Sequence, residues 1–203
     1  MKRAQGLLTV VLIFAAGVAL TVGVQQLTAN RAAAQHQDLQ RRAWLDILPV
    51  DSYDNQPLEQ PLAITAQTLE NSQVQGGYLA TLAGQPSAVL LRSQTSGYGG
   101  TIQLLIAVSS NGKLLGVKTL KQSETPSLGG RIAENNDAWI AAFKGHSRND
   151  PQDSAWALKK DHGQFDQIAG ATVTSRAVLN AVHDALRYVD DARQSILEPP
   201  PRD

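Results

Sequence analysis

The chain has 203 residues, 18 Lys+Arg against 18 Asp+Glu, four histidines and no cysteine. Balanced charge offers no clustered basic face, so no nucleic-acid partner is expected, and the missing cysteines exclude disulfides, thiolate metal sites and cysteine-held iron–sulfur clusters. His36, His146, His162 and His183 show no i, i+3 or i+4 pairing, so no metal site is expected either.

Met1, Lys2 and Arg3 precede an uncharged run from Gly6 to Val24. As a helix this run spans roughly 28 Å, about the thickness of a bilayer's hydrocarbon core. Its basic start predicts a cytoplasmic N-terminus, with the rest of the chain across the membrane. The run exceeds a usual signal-peptide core, and the small residues Ala32 to Ala34 lie well past its end, so a retained anchor is expected. Gln25 to Ile47 is rich in helix formers and reads as a stalk. Leu48 to Pro61 holds Pro49, Pro57 and Pro61 and reads as a linker. The expected organisation is therefore 1–5 cytoplasmic start, 6–24 transmembrane helix, 25–60 stalk and linker, 61–196 folded domain, and 197–203 tail.

Within the domain, Tyr78 to Leu82, Ser87 to Leu91, Ile102 to Val108 and Leu114 to Leu120 are short runs rich in branched residues. Gly84-Gln85-Pro86, Gly97 to Gly100 and Asn111-Gly112 separate them, which predicts antiparallel strands and hairpins. A helix is expected around Asp137 to Phe143 and a strand-like piece at Trp156 to Leu158. In a last helix, Val178, Leu179, Val182, Leu186 and Val189 form one apolar stripe, with Thr174 or Ser175 as its cap. The fold class is α+β: a transmembrane helix followed by one domain with an antiparallel sheet and flanking helices.

The chemistry concentrates at DQIAGATVTS, Asp166 to Ser175. Small residues at Gly170 and Ala171 let the backbone approach a bound group, and the first N–H groups of a helix favour an anion. The same residues also suit a plain tight turn with a hydroxyl cap. No histidine accompanies a Gly-x-Ser-x-Gly elbow, so a serine hydrolase is not expected, and no glycine-rich dinucleotide fingerprint follows a strand, so NAD binding is not expected.

Four segments in order carry a resemblance. Asp166 to Thr172 resembles the flavinylation motif of the FMN-binding domain family, in which Asp, two variable residues and Ser or Thr precede Gly-Ala-Thr. Ser123 to Gly129, SETPSLG, resembles that family's Glu-Thr-Pro-Gly-Leu-Gly segment. Gly97-Tyr98-Gly99-Gly100 with Ile102 to Leu105, and Trp156 to Asp161 with Phe165-Asp166, also agree. Together with the anchor and the length they make the chain similar to the RnfG/RsxG family, the G subunits of Rnf (Rsx) ion-translocating electron-transport complexes.

The resemblance implies FMN joined through a phosphoester to Thr172, placed there by a separate flavin transferase that uses FAD and Mg2+. It implies that Asp166, Gly170, Ala171, Thr174 and Ser175 orient the motif or hold the phosphate, and that Glu124, Thr125, Leu128 and Gly129 line the flavin ring. Trp156 would pack beside the ring, and Lys159 or Lys160 would neutralise the phosphate. Each has a plain structural alternative: a core Trp, a solvated lysine pair, a capped loop. Two positions depart from the pattern: Ala169 replaces a hydroxyl residue and Ser127 replaces a glycine. If Ser127 needs a positive φ, it bears strain of the order of 1 kcal/mol.

The implied function is an electron relay between ferredoxin, or a related low-potential donor, and NAD, coupled to ion movement across the membrane. Its partners would be the A, B, C, D and E subunits and the inner-membrane lipid, with the flavin domain in the periplasm. Two alternatives share these residues: the C subunit of a Na+-translocating NADH:quinone reductase, and an extracytoplasmic scaffold domain that has lost its flavin.

Overall fold

The computed structural model describes residues 42–134 and 137–197, with a few isolated helical positions between residues 14 and 25. The expected cytoplasmic start, most of the expected membrane segment and stalk, and most of the tail lie outside the described residues. Among the described residues no helix is long and apolar enough to cross a membrane. The chain divides into two units, Met1–Ala43 and Trp44–Asp203.

In the second unit an antiparallel sheet runs β1 (Pro61–Leu62), β3 (Gln73–Leu82), β4 (Gln85–Ser96), β5 (Thr101–Ser109) and β6 (Leu114–Lys121), with β2 (Gln67–Thr68) also paired to β3. Local turns set this order. Ala83 and Gly84, both at positive φ, close the β3–β4 hairpin, and Gly112 at φ +82° lets Ser109 and Lys113 close the β5–β6 hairpin. The expected strand at Trp156 to Leu158 is not formed: a 3-10 turn at Asp153–Ala155 leads into a single parallel bridge between Leu158 and Phe165. Three apolar residues do not distinguish a strand from a packed loop.

The strands alternate, as a pleated sheet requires. Val89 and Leu91 on β4, with Leu104, Ile106 and Val108 on β5, join one core cluster. Against this face lies α2 (Thr172–Asp191), whose stripe Val178, Leu179, Val182, Leu186 and Val189 is buried as the spacing predicts. The short α1 (Ala138–Ala141), capped by Asp137, and α3 (Arg193–Leu197) complete the helices of this unit.

The other residues of β4 and β5, among them Leu90, Leu105 and Ala107, face a second cluster. It is covered by Trp44, Leu45, Ile47, Leu48 and Tyr53, from the stretch that the sequence assigned to stalk and linker. Polar bonds fix the same strap: Asp54 N donates to Thr81 O at 2.9 Å, and Asn55 bonds Thr81 N at 3.0 Å and Leu79 O at 2.9 Å. The sheet is therefore buried on both faces, and the first turn of α2 lies at the end of the sheet where β4 turns into β5.

Candidate functional site

The start of α2 is shaped by a tight turn. Ala171 N donates to Ile168 O at 3.0 Å, Gly170 takes φ +75°, and the helix begins at Thr172. Ser175 staples this turn: its Oγ donates to Ala171 O at 2.9 Å and accepts from Ile168 N at 3.0 Å. The cap position falls on Ala171, which brings no side-chain acceptor. Thr174 and Ser175, read from the sequence as candidate caps, sit inside the first turn instead. A Ser, Asp or Asn cap would stabilise such a helix by about 1 kcal/mol. Its omission leaves the leading N–H groups free for an external anion.

Thr172 is half-buried, and its hydroxyl donates to Gln167 Oε1 at 2.9 Å. Facing it is the loop between β6 and α1. There Thr125 O accepts from Leu128 N and Gly130 N, at 3.2 and 2.9 Å, and Ser127 takes φ +63°. The glycine-to-serine departure therefore falls on a left-handed position, where a side chain carries the strain expected for it. Loop and turn enclose a cleft of ≈ 500 Å³, within the size range of small-molecule sites. A Cβ on Gly170 would lie 3.1 Å from Leu128 Cδ2, so the turn approaches the loop as closely as a glycine allows.

Of the residues singled out in the sequence, Glu124, Thr125, Leu128 and Gly129 from the loop meet Gly170, Ala171, Thr172 and Thr174 from the turn in this one cleft. Asp166, Lys159, Lys160, Ser175 and Trp156 lie outside its lining. Asp166 is exposed, paired with Lys159 Nζ at 2.7 Å, and its carbonyl accepts from Trp139 Nε1 at 2.6 Å. Lys159 is therefore engaged with a carboxylate of the motif itself, in an exposed pair that is weak by nature. Ser175 is buried beneath the turn as its staple. Trp156 is in the core: it stacks on His183 with centroids 5.1 Å apart, packs against Phe165 at 4.8 Å, and donates to Ser147 O. The plain alternative for a Trp in this position, core packing, is the one the fold adopts.

Two lining residues had no site role in the sequence pattern, Tyr98 and Val173. Tyr98, in the β4–β5 turn, is 79% exposed and Val173 is 48% exposed. A large exposed aromatic between glycines, and an exposed valine beside the tether threonine, are the signals that could have pointed to them.

Residues 97–187 match the FMN-binding domain family. The G subunit of the ion-translocating oxidoreductase complex of Pseudomonas aeruginosa is 48% identical over 185 residues, covering 90% of this chain and 86% of that protein. The chain belongs to the family of G subunits of ion-translocating oxidoreductase complexes. The corresponding G subunit of Shewanella loihica is 39% identical over 90% of this chain and 87% of its own. Among solved structures, the crystal structure of the C subunit of Na(+)-translocating NADH-quinone reductase from Parabacteroides distasonis aligns at TM-score 0.46 and 24% identity, over 63% of this chain and 65% of that one.

In this member of the G-subunit family, the aromatic cluster behind the motif holds a titrating group. His183 is buried, with Nε2 2.8 Å from Asp153 Oδ1 in an orientation that makes no hydrogen bond. Burial is the largest influence and pushes its pKa below the ordinary value, helped by Arg187 and opposed by Asp153 and Asp184. The unfolded chain thus takes up the proton at higher pH than the folded one. Stability is complete above about pH 6.5 and falls as pH drops through the interval between the unfolded and folded values. Urea denaturation at pH 8, 7, 6 and 5 should show the parent losing more stability on acidification than His183→Gln; equal losses would remove His183 as the cause.

Proposed function

We propose that the chain is a membrane-anchored flavoprotein that carries FMN through a phosphoester on Thr172 and relays electrons within an ion-translocating electron-transport complex. The observation that carries this reading is the convergence of two motifs far apart in sequence, Glu124 to Gly129 and Gly170 to Thr174, on one cleft at an uncapped helix start.

The residues fit the group. Thr172 opens α2, so a phosphate bonded to its Oγ would lie at the helix start, where the free N–H groups and the positive end of the helix dipole would stabilise the one charge left on a diester. Gly170 lets the turn close against Leu128, and Leu128 and Tyr98 offer apolar and aromatic surface to the cleft. Bound FMN supplies the electron-transfer chemistry; the chain supplies the tether, the orientation and the electrostatic surroundings. The Thr172 hydroxyl bonds the Gln167 amide rather than a base, in keeping with a hydroxyl modified by a separate flavin transferase that draws on FAD and Mg2+. Asp166, exposed and paired with Lys159, is the motif residue we assign to recognition by that enzyme.

The uncharged run Gly6 to Val24 supports a single-pass inner-membrane anchor, with the domain in the periplasm among the other members of the complex. The test is the mass of the intact chain isolated from its membrane. A single covalent flavin, fluorescent on the denatured band, is expected; a chain at its bare amino-acid mass overturns the proposal.

A further inference from the structure

Among the described residues, Glu124 is the one carboxylate lining the cleft, and it is 6% exposed. Its oxygens reach two other segments. Oε1 accepts from Gly99 N in the β4–β5 turn at 2.9 Å, and Oε2 accepts from the Thr174 hydroxyl in the first turn of α2 at 2.5 Å. Both groups aimed at it are donors, the arrangement that suits an ionised carboxylate. Thr174 is 1% exposed, so the bond between them is sealed from solvent.

The surrounding glycines fit around this carboxylate. A Cβ on Gly129 would lie 2.7 Å from both Glu124 Oε2 and Thr174 Oγ1, and a Cβ on Gly97 would collide with Glu124 Oε1. Three segments distant in sequence close onto one carboxylate: the turn bearing Tyr98, the loop bearing Leu128, and the helix start bearing Thr172.

We propose that Glu124 is the positioning residue of this cleft: its carboxylate, held between the Gly99 N–H and the Thr174 hydroxyl, pins the three segments around Thr172 and sets a negative charge against the flavin ring. The inference rests on the proposed flavin site. Two electrons and one proton taken up from a reductant leave the ring with one added negative charge, which a fixed carboxylate nearby disfavours. Glu124 therefore holds the bound flavin at a lower potential than an uncharged residue would.

The experiment uses the full chain coexpressed with a flavin transferase, purified in detergent and titrated with dithionite. Glu124→Gln keeps the shape and removes the charge; at fixed ambient potential the flavin-bearing fraction should shift about tenfold toward the reduced form, ~30 mV for a two-electron couple. Thr174→Val removes a donor and leaves the charge less compensated, so its shift should run the opposite way. A residue that merely packed would not move the two variants in opposite directions. Parental potential in both variants overturns the charge role, and where Glu124→Gln does not fold, Thr174→Val decides alone.

Hydrogen exchange at the Gly99 amide, read on flavin-free chain, tests the pin independently. Exchange should quicken in Glu124→Gln and Thr174→Val, and unchanged protection in both overturns the pin. A parent chain that never acquires flavin sinks the proposed function, while the exchange result still judges the pin.

Discussion

Thr172→Ala should yield a chain of unchanged fold that carries no covalent flavin, whereas Thr172→Ser should still be labelled. The side chain is half-buried at the first position of α2, and its hydrogen bond to Gln167 is exposed. Truncating it leaves the apolar stripe of α2 and the Ser175 staple untouched, so the change in stability stays within about 0.5 kcal/mol. The loss of label is complete, because the neighbouring hydroxyls are engaged elsewhere. Thr174 is buried and its hydroxyl is committed to Glu124; Ser175 is buried and bonded at both ends of the turn. In-gel fluorescence of the denatured band, beside a urea melt of each variant, reads both halves of the prediction. Label persisting on Thr172→Ala would move the tether to another residue.

The parts of this molecule that were legible in its sequence are those set by neighbours along the chain. The β5–β6 hairpin follows from Asn111-Gly112, and the buried stripe of α2 from its spacing. The first half of β3 escaped detection because Gly76 and Gly77 interrupt the run. The fold needs them there: Gly76 sits at φ +147° beside a register shift, and a Cβ on Gly77 would press on Leu90 O at 3.0 Å. Thr174 was open to reading as a cap because hydroxyls near helix starts commonly cap. Its real partner, Glu124, is 50 residues away, and no local pattern announces such a pairing. Trp156 and Lys159 sit near the motif in sequence, yet one turns into the core and the other pairs with Asp166. The residues that meet in the cleft come from segments with a recognisable pattern; Tyr98 and Val173 lie within such segments, and it is the fold that shows they line the cleft.

The strap that covers the second sheet face escaped detection for a related reason: Pro49, Pro57 and Pro61 made it read as a linker, while its apolar residues decide its fate. Leu48 is 4% exposed and packs with Leu90, Leu105 and Ala107, each fully buried. Leu48→Ala should cost about 2–5 kcal/mol, the transfer term plus the cavity left behind, a large share of the total stability of about 5–15 kcal/mol of a domain. Urea denaturation of a chain starting at residue 42 should show a lower midpoint with the slope unchanged. A chain starting at Pro61 should do worse, exposing Leu90 and Leu105 as an apolar patch that binds hydrophobic dyes and aggregates. If both changes left the midpoint where it was, residues 44–53 would be a tether and not part of the core. The two substitutions should also separate cleanly. The strap packs on the face opposite α2, so Leu48→Ala lowers stability while leaving the Thr172 turn able to accept flavin at low temperature. Thr172→Ala does the reverse, and that opposition distinguishes a site residue from one that supports the sheet beneath it.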